Sequence, residues 1–173
     1  MIQNYTGYKV LRVFFDYPTK GFQLRELSRL LKMGMPSVIL HVKRLEKEDF
    51  LKKEKKGVYP QYKASRNEKF LLYKKTDTLI RLHESGLIEF LFSKTYPNAI
   101  VLFGSASLGE DTETSDIDLF VIAKEKDLDL SEYEKMLKRK VHIIFESDLK
   151  KVPKELMNNV INGIVVYGYL EVL

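Results

Sequence analysis

Apolar residues recur at helical spacing from the start of the chain. Val10, Leu11, Phe14 and Phe15 share one face of a helix predicted from Tyr8 to Phe15, and Pro18 stops the pattern. Leu24, Leu27, Leu30 and Leu31 repeat the stripe through Lys32, after which Met33-Gly34-Met35 makes a tight turn. Pro36, whose missing N–H costs nothing in a first turn, starts a third helix to about Glu48. Its Val38, Ile39, Val42 and Leu45 turn inward, while Ser37, His41, Lys43 and Arg44 turn outward. The period then becomes that of strands: Phe50 to Glu54 and Tyr59 to Ala64 flank a turn at Lys55-Lys56-Gly57, a hairpin with a basic tip. Asn67 is placed to cap a helix from Glu68, whose apolar face holds Phe70, Leu71, Tyr73, Leu79, Ile80 and Leu82. Gly86 breaks the chain before another helix at Leu87 to Phe92. An apolar strand at Ala99 to Phe103 follows, and a second runs through Ile117-Asp118-Leu119-Phe120-Val121. A helix at Ser131 to Lys138, a strand at Lys140 to Phe145, a helix at Lys154 to Asn162 and a closing Gly163 to Gly168 segment complete the pattern.

Composition narrows the class. With 45% hydrophobic and 31% charged residues the chain is globular, and 173 residues suit two small domains. No cysteine is present, which excludes a disulfide framework and a thiolate metal centre. No apolar run approaches the ~20 residues of a membrane helix, and the first residues lack a charged leader with an apolar core. A cytoplasmic protein without a membrane partner is expected. The net charge of +5 conceals a split. Residues 1–83 carry 19 Lys and Arg against 8 Asp and Glu, or +11, whereas residues 84–173 carry 10 against 16, or −6. The two parts therefore suit different partners, the basic one nucleic acid or a protein dock.

The chemistry concentrates in the acidic half. Gly104-Ser105 ends one apolar strand, and after ten residues Asp116-x-Asp118 opens the next. Alternation along a strand places Asp116 and Asp118 on one face and Ile117, Leu119 and Val121 on the other. Mg²⁺ commonly sits between one or two carboxylates and the phosphates of a substrate. Gly104 allows close backbone approach, and Ser105 offers a hydroxyl and an N–H to phosphate oxygens. The residues alone leave a simpler reading open, in which a turn-rich loop merely carries solvated acids.

Taken together, Gly104-Ser105, the ten-residue spacing and Asp116-x-Asp118 resemble the signature of the DNA polymerase β-type nucleotidyltransferase superfamily, most of all its minimal nucleotidyltransferase branch. The similarity runs from about Glu84 to the C-terminus. The three helices and hairpin over residues 5–65 resemble the winged helix-turn-helix family. These resemblances imply an α/β (α+β) chain with a winged helix-turn-helix DNA-binding domain at 1–66, a linker helix at 67–83 and a small mixed-sheet nucleotidyltransferase-like domain at 84–173. They imply an NTP substrate, ATP in the first instance, and Mg²⁺ or Mn²⁺ as cofactor. Gly104 and Ser105 would hold phosphate, Asp116 and Asp118 the metal. The implied activity transfers an NMP group to a hydroxyl on a protein, an RNA or a small molecule. Duplex DNA would meet Ser37, His41, Lys43, Arg44, Lys55 and Lys56, and the linker helix would offer a homodimer contact. Two departures stand out. Leu108 occupies a position where many members carry Arg, and in the run Val141-His142-Ile143-Ile144 the third acid is replaced by His142, which becomes the remaining candidate catalytic residue. The alternative is a transcriptional regulator whose degenerate nucleotidyltransferase domain senses nucleotide or docks a partner without turnover.

Overall fold

Residues 5–55 and 58–171 are described by the computed structural model, and aromatic side chains gather the N-terminal helical stripes into one core. The chain divides into two units, Met1–Leu71 and Leu72–Leu173. In the first, α1 (Thr6–Asp16), α2 (Leu24–Leu31) and α3 (Met35–Lys47) precede strands β1 (Leu51–Lys55) and β2 (Pro60–Ala64). Val10, Phe14, Leu27, Val38 and Val42 are wholly buried there, as their spacing requires. Phe14 meets Phe22 edge-on at 5.5 Å between ring centres, an arrangement the aromatic quadrupole favours. Phe22 also pairs through its main chain with Tyr62 of β2, so the link between α1 and α2 adds a short third edge to the hairpin. The hairpin registers Leu51 on Ala64 and Lys55 on Pro60. Lys56 lies outside the described residues.

Helix α4 (Glu68–Glu84) begins where Asn67 Oδ1 accepts the N–H of Phe70 at 2.8 Å, the expected cap. It is shared by the two units: Phe70 enters the first core and Leu82 the second.

The second unit continues through α5 (Leu87–Thr95), β3 (Ala99–Phe103), α6 (Gly104–Leu108), β4 (Ile117–Val121), α7 (Ser131–Leu137), β5 (Val141–Phe145), α8 (Lys154–Ile161) and β6 (Ile164–Gly168). Its sheet has the order β5-β4-β3-β6. The β4–β5 pair is parallel and the other pairs antiparallel, so the sheet is mixed. Both faces are covered. Ile100, Leu102, Leu119 and Val121 pack with Leu82, Leu87, Leu91 and Leu137, whereas Val101, Phe103, Phe120 and Ile122 pack with Val160 of α8. Double-sided burial explains why β3 and β4 read as continuous apolar runs. Two details differ from the pattern expected. Asp116 stands one residue before β4, and a 3-10 turn at Leu149–Lys151 occupies the polar exit from β5, held by Asp148 accepting the N–H of Lys150. No described helix is long and apolar enough to cross a membrane.

Candidate active site

The site is assembled by three neighbouring strand ends. The antiparallel register of β3 and β4 sets Phe103 opposite Asp118, and the parallel register of β4 and β5 sets Asp118 beside His142. The chain leaves β3 through Gly104 in the left-handed region, φ +68°, and turns at once into α6. A Cβ on Gly104 would lie 2.6 Å from Asp118 Oδ2. Only glycine therefore tolerates both the dihedral and the approach. Inside the turn, Ser107 Oγ donates to the Gly104 carbonyl at 2.7 Å, and Glu110 N–H donates to the Ser105 carbonyl at 2.9 Å. The half-buried Ser105 is held at the start of this closed turn.

The two oxygens of Asp118 have different neighbours. Oδ2 faces Gly104, and Oδ1 lies 3.2 Å from His142 Nδ1. Asp116 is exposed, and among the described residues no three His, Asp or Glu side chains form a group that could hold a metal ion. Gly104, Asp118 and His142 meet at this point. The donor chemistry still fits a hard divalent cation that takes its remaining oxygens from phosphate and water. The glycine turn brings main chain, with no Cβ in between, against one of the carboxylates that would hold the ion.

Beside Asp116 opens a cleft of about 640 Å³, walled by Thr114, Ser115, Asp116, Glu134, Lys138 and Lys140 among others. Lys140 Nζ donates to Glu134 Oε2 at 2.8 Å, and the N–H of Val141 donates to Oε1 at 3.0 Å. The Lys140 ammonium is held above the ordinary lysine value by that hydrogen bond first and the Glu134 charge next, with Asp116 acting in the same direction. The Glu134 carboxyl is held below the usual range, chiefly by its bond to Lys140 and then by the Val141 N–H.

A buried ionic group, which nothing in the motif pattern announces, fixes the loop that delivers Asp116. Lys74 of α4 and Asp111 are 2% and 6% exposed. Lys74 Nζ pairs with Asp111 Oδ1 and also donates to the Asp111 carbonyl at 2.8 Å. Arg139, at the corner between α7 and β5, places Nε 3.8 Å from Asp111 Oδ2. The same loop closes on itself where the Thr112 N–H donates to Ser115 Oγ at 2.9 Å. A signal did exist in the spacing along α4. Lys74, Asp77 and Arg81 follow the core residue Phe70 at i+4, i+7 and i+11, which puts all three on the buried stripe of α4.

In the first unit Lys43 and Arg44 on α3 and Lys55 at the end of β1 are exposed, and Ser37 is half-buried. His41 is half-buried as well. A Cβ on Gly7 would lie 3.0 Å from His41 Nδ1, so the half-buried imidazole rests against α1 on the flank of α3.

The site thus joins the end of an apolar strand, a glycine turn lying against a carboxylate, and that carboxylate on the next strand. Residues 86–171 match the family described as Polymerase beta, Nucleotidyltransferase. Among curated proteins none matches the chain.

Proposed function

We propose that the second unit binds an NTP with a divalent cation and transfers the NMP group to a hydroxyl acceptor, and that the first unit is a winged helix-turn-helix module bound to duplex DNA. The close approach of Gly104 to Asp118 supports the transfer reading most strongly. It sets a turn suited to phosphate within contact of a carboxylate suited to the ion that phosphate carries. In this reading Gly104 and Ser105 hold the phosphate oxygens, and Asp118 and Asp116 hold the cation. The bound ion supplies neutralisation of charge at the transferring phosphorus. The cleft beside Asp116 receives the acceptor, with Lys140 paired to Glu134 at its wall.

The test is incubation of the full chain with Mg²⁺ or Mn²⁺, α-labelled NTPs and candidate protein, RNA and small-molecule acceptors. Label transfer is expected, with Asp118→Asn and Gly104→Ala each losing at least two decades, about 2.7 kcal/mol. Full transfer by both variants rejects the assignment. One observation favours a second reading, that of a nucleotide-sensing regulator: an imidazole, not a carboxylate, stands beside Asp118. Nucleotide binding that alters DNA affinity without any label transfer would select it. For the DNA reading, the support is the +11 charge and the exposure of Lys43, Arg44 and Lys55.

A further inference from the structure

We infer that His142 is itself a ligand of the cation, so that this site takes an imidazole-accepting first-row ion such as Mn²⁺ or Co²⁺ in preference to Mg²⁺; the inference rests on the phosphate-and-cation reading above. Three observations carry it. The first is position. Asp118 and His142 are direct partners in the parallel β4–β5 register, flanked by Ile117 on Val141 and Leu119 on Ile143. Ile117, Leu119 and Val141 are buried, and a one-residue slip would turn them out of the core, so the pairing of carboxylate and imidazole is fixed by the fold.

The second is distance. Two donors about 2.1 Å from one ion stand about 3.0 Å apart at right angles and about 3.4 Å apart at the tetrahedral angle. Asp118 Oδ1 and His142 Nδ1 are 3.2 Å apart, which suits two adjacent corners of one coordination shell. The third is access. His142 is on the edge strand of the sheet with its side chain 57% exposed, against 27% for Asp118. The imidazole is therefore open to an ion arriving with phosphate, and needs no rearrangement of packed side chains.

The chemical consequence follows from donor hardness. Mg²⁺ demands oxygen ligands, whereas imidazole suits the first-row transition ions, whose affinities rise from Mn²⁺ to Co²⁺. A nitrogen at this corner moves the preference away from Mg²⁺. The same two atoms lie within hydrogen-bonding distance of each other.

The experiment titrates the full chain with Mn²⁺, Co²⁺ and Mg²⁺ in the presence of inorganic tripolyphosphate, which contains no nitrogen, and records the electron spin echo of bound Mn²⁺. Wild type is expected to bind Mn²⁺ at least tenfold more tightly than Mg²⁺ and to show modulation from an imidazole nitrogen. His142→Ala is expected to lose the modulation, and His142→Asp to lose it while regaining Mg²⁺ affinity. Circular dichroism checks that each variant is folded, and an exposed edge position gives little reason for loss of fold. Ion binding that needs Asp118 yet shows no nitrogen modulation, or an unchanged metal ratio in His142→Ala, overturns this inference alone. No tripolyphosphate-dependent ion binding by any variant overturns the proposed function as well.

Discussion

Removing Asp111 tests whether the buried ionic group holds the second unit together. The Lys74 ammonium is almost fully buried, and deleting one partner of such a pair costs about 3–5 kcal/mol, because the desolvated charge that remains has lost an ion-pair partner. The Asp111 carbonyl still accepts from Lys74 at 2.8 Å, and it survives any side-chain change. We therefore place Asp111→Ala at the lower end, about 3 kcal/mol. Asp111→Asn keeps an acceptor and loses only the charge, so about 1.5 kcal/mol is expected, the lower value for a hydrogen bond to a charged group. The double variant Lys74→Met/Asp111→Leu removes both charges and should recover most of the loss, since apolar replacements of buried pairs are often neutral. The assay is urea unfolding of the full chain by far-ultraviolet circular dichroism and tyrosine fluorescence, the chain having ten Tyr and no Trp. With a denaturant slope of about 1.5 kcal/mol per molar, Asp111→Ala moves the midpoint of the second unit down by about 2 M. A loss below about 1 kcal/mol would show that the group is solvated in solution. A double variant less stable than Asp111→Ala would refute the argument from desolvation.

Two further outcomes follow from other parts of the chain. The Glu134 carboxyl is held below its ordinary value of 4.5, so its contribution to stability is present above that pH and fades as pH falls through the lower native value. Glu134→Gln should flatten the acid limb of a pH–stability profile below about pH 4.5; an unchanged limb refutes it. If the first unit binds duplex DNA through α3 and the hairpin, Lys43→Ala/Arg44→Ala and Lys55→Ala should each lower the slope of log K against log salt by ~0.9 for every phosphate no longer neutralised. His41→Ala, with its ring against Gly7, should leave that slope in place. Fluorescence anisotropy across a salt series measures both, and a reduced slope for His41→Ala would place it at the interface after all.

The sequence disclosed the scaffold of the site because its positions are dictated by period and by turn chemistry. The β3 run, Gly104 and the apolar partners of Asp118 follow from alternation and from the need for glycine at a crowded positive-φ turn. Asn67 was legible as a cap for the same local reason. What escaped was set by tertiary contact. A lone Asp111 in a loop of Thr, Glu and Ser reads as turn chemistry, and although spacing puts Lys74 on the buried stripe of α4, only the fold pairs the two. Asp116 looked like a strand residue by alternation, yet pairing with β5 begins only at Ile117. His41 sits at the margin of the helical wheel of α3, where the packing of α1 decides which way the ring faces.

The placement of Asp118 and His142 on different kinds of strand divides the site by its freedom to vary. Asp118 lies on β4, paired on both sides within the sheet and wedged against Gly104, so nearly any other side chain there would disturb a neighbour. His142 lies on β5, which is paired on one side only, and most of its side chain faces outward. Exposed positions of that kind usually exchange residues within ~0.5 kcal/mol. One member of the pair is thus held by the architecture, and the other is a dial: if His142 is the ligand proposed above, a single codon there retunes the chemistry of the centre while the fold stays as it is.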